Sequence, residues 1–327
     1  MRYRQREERG WRLHVLENDE VRVEVLAERG ATITSLRDLR TGVDVLWRPR
    51  WGLPHRDRVD FAGSGEAVAM GRYPGGWNTL FPNAGAATVE HGVEWPMHGE
   101  VWMTPLDVEV GDGELAASGV LVRSPFAFER RIRLDGRAVV VSETATNLAS
   151  EPVDAVWNQH PAFGAPLLGA DARVVSSART VHSDIADPSL EPGRERSEWP
   201  TLLVPGGRNI SLDRPSPPED GSSRRAFLGD FPTGRAMVGV RNVGLGLEAR
   251  VEWDPAGFPY AWYWLEAGGR AGFPWYGAEY VLGLEPCTSF PTGGLSRIRE
   301  LTGTHLTFAP RASLQREVAI VLDSVGS

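Results

Sequence analysis

Apolar and polar residues alternate along much of the chain with a period of two. Val21, Val23 and Val25 are separated by Arg22 and Glu24, Val108 and Val110 by Glu109, and Arg131-Ile132-Arg133-Leu134 repeats the pattern. That period sends successive side chains to opposite faces of a half-buried strand. Turn chemistry recurs at hairpin spacing, at Asn18-Asp19, Arg29-Gly30, Thr41-Gly42, Gly111-Asp112-Gly113 and Asp135-Gly136. No stretch of more than a couple of turns carries a helical period free of Gly and Pro. The pattern predicts an all-β protein of many short antiparallel strands, in a sandwich or barrel, with little helix.

Between 183 and 229 the chain becomes rich in Pro, Gly, Ser and charge, with Pro215-Ser216-Pro217-Pro218-Glu219-Asp220-Gly221 at its centre. An interdomain linker is one reading. The strand-like flanks hold too few elements for two complete cores, so the expectation is a single domain over 1–327 with a long surface loop at about 183–229. A chain of 327 residues that is 41% hydrophobic has enough apolar material for a large core.

Charge and targeting signals narrow the function. Net charge is −8 and no stretch concentrates basic residues, so no nucleic-acid partner is expected. Met1 to Trp11 is arginine-rich and lacks the apolar core of a signal peptide, and no later run has membrane-spanning length. A cytoplasmic protein without membrane association is expected. The one cysteine, Cys287, has no partner for an internal disulfide, which fits a reducing compartment. All 35 residues counted as Lys+Arg are arginines, which removes lysine Schiff-base chemistry, pyridoxal phosphate attachment and the P-loop lysine.

Three titratable residues stand in settings that suit chemistry. His98 lies in Trp95-Pro96-Met97-His98-Gly99-Glu100-Val101-Trp102, beside glycine and between tryptophans. His160 lies in Trp157-Asn158-Gln159-His160-Pro161-Ala162-Phe163-Gly164, where the following proline predicts a strand end, in a strand that starts near Ala155. Glu285 follows the apolar run Tyr280-Val281-Leu282-Gly283-Leu284 and precedes Pro286; burial there would raise its pKa toward that of a useful base. Each also has a plain reading, a bonded core histidine or an edge-strand glutamate facing water. Trp77, Trp95, Trp102, Trp157, Trp262, Trp264 and Trp275 fall in or near the apolar segments around these sites. Tryptophan faces pack on the C–H faces of a pyranose, although core packing is the commoner role of any single tryptophan. Tyr73-Pro74-Gly75-Gly76-Trp77-Asn78 matches no nucleotide-binding fingerprint.

Taken in order, these segments resemble the landmarks of the aldose 1-epimerase, or galactose mutarotase-like, family. Gly30-Ala31-Thr32-Ile33-Thr34-Ser35-Leu36-Arg37-Asp38 resembles the opening hairpin. Gly75-Gly76-Trp77-Asn78-Thr79-Leu80-Phe81-Pro82-Asn83 followed by His98-Gly99 resembles the cleft segment and first histidine. Thr146-Asn147-Leu148, Glu151-Pro152 and His160-Pro161-Ala162-Phe163 resemble the strand pair ending at the second histidine, and Gly283-Leu284-Glu285-Pro286 the catalytic-glutamate segment. The resemblance spans Gly30 to about Leu322. It implies a large twisted antiparallel β-sandwich and anomer interconversion of an aldose with no cofactor and no metal. Glu285 then matches the general base, His160 the general acid, and His98 a histidine that holds the sugar. Trp77, Asn78, Asn83, Trp102, Phe163 and Arg72 become expected substrate contacts. Two departures stand out: Gly71-Arg72 runs into Tyr73-Pro74-Gly75 where many members carry Asn-Arg, and the second histidine precedes Pro161-Ala162-Phe163-Gly164 rather than an aromatic residue and asparagine.

Three other readings stay open at this point. A non-catalytic sugar-binding protein could keep the same fold. A metal-dependent isomerase or lyase could use His98, His160 and Glu285 as ligands. A hexose-6-phosphate epimerase is the third, given arginines near the cleft segments. The sequence leaves the oligomeric state open.

Overall fold

Two antiparallel sheets dominate the computed structural model, which describes residues 1–57 and 65–326. Among the described residues the larger sheet has eleven strands. It runs from Arg2–Glu8 at one edge through Trp11–Glu17, Val21–Leu26, Thr32–Asp38 and Trp77–Leu80 to Asn158–Phe163. It continues through Tyr280–Cys287, Tyr260–Ala267, Ser222–Gly229 and Thr180–His182 to Arg196–Glu198. The second sheet has eight strands, from Ala172–Ser176 to Asp107–Gly111, with Ala138–Asn147 and Ser313–Ser324 near its middle. The all-β sandwich expected from the alternation is what forms.

The period-two segments all lie on strands, and the pattern marks the buried face at Val21–Leu26 and around Ile132, whereas Val110 on the edge strand Asp107–Gly111 is exposed. Val21, Val23 and Val25 are fully buried while Arg22 and Glu24 are partly exposed. In Phe126–Asp135, Ile132 points into the core between the exposed Arg131 and Arg133. Asn18 makes the turn before Val21–Leu26 by accepting the N–H groups of Glu20 and Val21 on its side-chain oxygen. Among the described residues helix is confined to short pieces such as Gly65–Gly71 and Leu295–Leu301. No helix among the described residues is long and apolar enough to cross a membrane.

The loop expected over 183–229 is corrected. Arg196–Glu198 forms the sheet edge, Thr201–Val204 and Arg208–Ser211 make a hairpin, and Ser222–Gly229 is an interior strand of the large sheet. Ala226, Phe227 and Leu228 are fully buried there. The strand was hidden in the sequence because it opens on Ser222-Ser223-Arg224-Arg225, and the prolines that read as loop serve the short turns between strands.

Where the sheets meet, the core is not wholly apolar. Arg130 and Glu143, both from the smaller sheet and both without solvent access, approach to 3.3 Å. Glu143 accepts from Trp157 Nε1 at 2.8 Å and also from Gln159 and Thr79 of the larger sheet. Trp77 Nε1 donates to Gln159 Oε1 at 2.9 Å, and the Arg130 guanidinium lies 5.5 Å from the Trp77 ring centroid. The network fixes Gln159 toward the inter-sheet core. Alternation then turns its neighbour His160 to the opposite face of the large sheet.

Candidate active site

The site is built on the middle strands of the larger sheet, on the face away from its partner sheet. In the pairing of Asn158–Phe163 with Tyr280–Cys287, Asn158 opposes Cys287 and Ala162 opposes Gly283, which sets His160 across from Glu285. The ladder is interrupted between those pairs, where Pro161 and Pro286 have no N–H to donate. His160 is therefore an interior strand residue and not the strand-end residue its proline predicted; Val153–Ala155 is a separate strand paired with Leu306–Phe308.

His160 Nε2 lies 3.4 Å from Glu285 Oε1. Asn158, two residues from His160 on the same face, donates its side-chain N–H to Glu285 Oε2 at 3.1 Å. The Tyr73 hydroxyl lies 3.4 Å from His160 Nδ1. Gly283 makes room for the carboxylate: a methyl group there would sit 2.5 Å from Glu285 Oε1 and 3.2 Å from the Trp264 ring.

Burial sets the protonation of this pair. It pushes the Glu285 carboxyl up to about 8 against the opposing hydrogen bond from Asn158, and it pushes His160 down to about 4. At neutral pH the pair thus holds one proton, resting on the carboxyl and facing an uncharged imidazole. His98 is driven down to about 3 by burial and by the neighbouring His160, so it too is neutral.

His98 is held by its backbone as well as its ring. Its φ of 64° lies in the left-handed region, its N–H donates to the Gly85 carbonyl at 2.9 Å, and the Gly85 N–H donates to His98 Nδ1 at 3.2 Å. An occupied Nδ1 lone pair assigns the ring proton to Nε2, leaving that N–H as a donor. Gly99 is required beside it because a Cβ there would lie 2.5 Å from the Phe81 carbonyl oxygen. The His98 and His160 ring centroids are 5.8 Å apart.

These groups open onto a cavity of about 550 Å³. His98, Trp102, His160, Trp262, Trp264, Trp275 and Glu285 line it, with Tyr73 and Phe227 among the remaining residues of its wall. Trp264 reaches both walls, 5.7 Å from the His160 ring and 5.2 Å from Trp275. A cavity with aromatic faces and a few convergent polar groups fits a small polyhydroxylated ring.

The structure brings His98, His160, Glu285 and Trp102 together at this cavity, and it does not bring the other expected substrate contacts to the wall. Trp77 faces the inter-sheet core through its bond to Gln159. Asn78 is buried between Thr32, whose hydroxyl donates to it at 2.8 Å, and the Gly75 carbonyl that it donates to at 3.0 Å. Asn83 braces loops: it donates to the carbonyls of Ala86 and Pro96 and accepts the Leu295 N–H. Phe163 is fully buried in the core. Arg72 is not part of the wall; its carbonyl accepts from Arg29 Nη2 at 3.2 Å. Tyr73, Asn158, Arg225 and Arg270 were not foreseen as site residues. Asn158 carried a signal, since it sits at i−2 from His160 and a strand places such residues on one face.

A family model described as a domain of unknown function, DUF4432, matches residues 8–322. The chain belongs to this family. Solved structures share the fold of this DUF4432 protein. One is a Klebsiella pneumoniae protein carrying a provisional aldose 1-epimerase name, 16% identical with a TM-score of 0.69, the match covering 96% of this chain and 79% of that one. A galactose mutarotase related enzyme from Lactobacillus acidophilus is also 16% identical, with a TM-score of 0.67 and coverage of 96% and 98%. A galactose mutarotase-like protein from Clostridium acetobutylicum is 12% identical, with a TM-score of 0.63 and coverage of 99% and 98%. No curated protein matches the chain in sequence. At such identities the likeness establishes a galactose mutarotase-like fold for this DUF4432 protein and leaves its chemistry to the site.

Proposed function

We propose that this DUF4432 protein is an aldose 1-epimerase that interconverts α and β anomers with Glu285 and His160 as its acid-base pair. The observation that carries the reading is the 3.4 Å approach of His160 Nε2 to Glu285 Oε1 in an aromatic-walled cavity. Ring opening needs one group to take the C1 hydroxyl proton while another delivers a proton to the ring oxygen, and a carboxylate and an imidazole that share one proton meet both needs.

Sugar hydroxyls that hydrogen-bond the Glu285 carboxylate favour its ionised form and move the proton to His160. Glu285 then takes the C1 hydroxyl proton, His160 gives its proton to O5, the C1–O5 bond breaks and C1 becomes a carbonyl. After rotation about C1–C2, the ring closes on the other face as protonated Glu285 gives its proton to the carbonyl oxygen and neutral His160 takes back the proton of the O5 hydroxyl. His98 donates Nε2–H to the sugar and holds it, and Trp264 with Trp102 supplies the apolar faces of the cavity. Polarimetry on freshly dissolved α-aldoses with purified protein tests the reading: acceleration over the buffer rate is expected. Sugar binding without any acceleration would favour the binding-protein alternative.

A further inference from the structure

The cavity wall carries two guanidinium groups that the acid-base scheme does not use. Arg225 lies on Ser222–Gly229, opposite Trp264, and Arg270 follows Tyr260–Ala267 in the loop at the cavity mouth; both line the cavity. Neither is closed off in a tight ion pair. Arg225 donates to the Thr292 hydroxyl at 3.1 Å and stays 3.8 Å from Asp184. Arg270 Nε stays 3.4 Å from Glu266, and among the described residues its guanidinium makes no hydrogen bond. Glu66 at the rim is the other acid near it. Burial, and then the charge of Arg225, disfavour the charged form of Arg270. Two cations close enough to oppose one another, each with free donors, form a site that an anion would relieve.

Register places this site relative to the reacting pair. Glu285 opposes Trp262, Trp262 opposes Phe227, and Arg225 is one same-face step from Phe227. Two strand spacings and one two-residue step separate the Glu285 and Arg225 backbones by about 12 Å. A pyranose with its C1 at Glu285, extended by one substituent and met by an arginine side chain, spans that gap. A second depression next to the cavity shares Arg225 and Arg270 and adds Arg208 and Arg224, with Asp184 and Asp187 also on its wall.

We infer that the substrate is an aldose bearing an anionic group, best a phosphate, on the carbon remote from C1, and that Arg225 and Arg270 bind that group. Guanidinium forks match phosphate oxygens in geometry and charge. The inference rests on the aldose reading above and names its substrate class.

The test compares α-D-glucose, α-D-galactose and α-D-mannose with their 6-phosphates, by polarimetry and by tryptophan-fluorescence titration. The wild type is expected to favour at least one 6-phosphate over its parent by tenfold or more in kcat/KM. Arg225→Gln and Arg270→Gln should each lower that ratio at least tenfold. Arg235→Gln, which removes the same charge from a residue paired with Glu252 of the other sheet, should leave it in place. A wild type that prefers the parent sugars, or arginine variants that preserve the ratio, would overturn the inference while the epimerase reading stands. If no sugar is turned over, the epimerase reading fails, and the titration decides the inference. Binding of a 6-phosphate that beats its parent and is lost in both arginine variants upholds it; equal binding of both sugars sinks it.

Discussion

Glu285 and His160 face each other across two neighbouring antiparallel strands, 3.4 Å apart at Oε1 and Nε2, at the point where Pro161 and Pro286 interrupt the hydrogen-bond ladder. Strand register therefore sets the spacing of the pair, and side-chain rotamers only refine it. Positions on rigid elements hold reacting groups more tightly than loop positions do. The same register sets Trp262 beside Glu285 and Asn158 beside His160.

The first consequence concerns catalysis. Glu285→Gln keeps the shape and the bond from Asn158 but removes the proton acceptor, so turnover on the best aldose should drop about 10²-fold or more, with sugar binding little changed. His160→Asn should behave alike. Because the two residues work as a unit, the double variant should lose far less than the product of the single losses. His98→Asn should weaken binding and rate together, since it removes a donor to the sugar. Polarimetry gives the rates and tryptophan fluorescence the affinities; near wild-type turnover by Glu285→Gln would remove Glu285 from the mechanism.

The pair's protonation yields a pH profile. In the proposed mechanism the pair works with one proton: above about 8 the carboxyl loses that proton, and below about 4 the imidazole gains a second. A plot of kcat/KM against pH should be bell-shaped, with limbs near those values, provided the sugar carries no group that titrates between them. In Glu285→Gln the basic limb should vanish from the residual rate. A profile governed by a single group near 6.5, the ordinary histidine value, would contradict the burial-driven shifts.

Much of this architecture could be read from the chain. Alternation at Val21, Val23 and Val25 and around Ile132 fixed strand faces because each sheet buries one side against the other. His98, His160 and Glu285 could be singled out by their glycine and proline neighbours, and the structure brings all three to one cavity, although His160 sits inside its strand and not at the end its proline predicted. Trp77 and Phe163 were misplaced for the opposite reason. Composition marks an aromatic residue as apolar but does not tell which face of a strand it takes, and Trp77 alternates toward the inter-sheet core while its neighbour in space, His160, turns outward. Arg225 escaped notice because its strand lay within a segment whose prolines and charges resemble a loop. Its role depends on pairing with Trp264, a contact between positions far apart in sequence.

The inter-sheet ion pair has a stability signature. Arg130→Met leaves Glu143 buried without its cation and should cost about 3–5 kcal/mol, the usual penalty for breaking a buried pair. Adding Glu143→Gln removes the stranded charge while keeping an oxygen to accept from Trp157. The double variant should therefore be more stable than Arg130→Met alone, with the two losses far from additive. Urea unfolding of the four proteins measures this, and strictly additive losses would show that Arg130 and Glu143 do not act as a pair.

A last expectation turns the carboxyl's shifted titration into a stability difference. Glu285 has its folded-state pKa raised from an ordinary 4.5 to about 8, so the folded protein binds this proton more tightly than the unfolded chain. The stabilisation from that proton is fully present below about 4.5 and is lost as pH rises through 8. Glu285→Gln has no such proton to lose, and its amide can still accept from Asn158 while offering an N–H to His160. Titration of His160, driven the other way, occurs in both proteins and largely cancels from the comparison. The Tm of Glu285→Gln minus that of the wild type should therefore grow from pH 5 to pH 8 and level off above it. On this scale of shift the gain amounts to a few kcal/mol. The variant would be the more stable protein and the poorer catalyst, as expected where a reacting group is held in surroundings that disfavour its charged form. Differential scanning calorimetry across that range decides the matter, and a Tm difference independent of pH would mean that Glu285 titrates in the folded protein as it does in the unfolded chain.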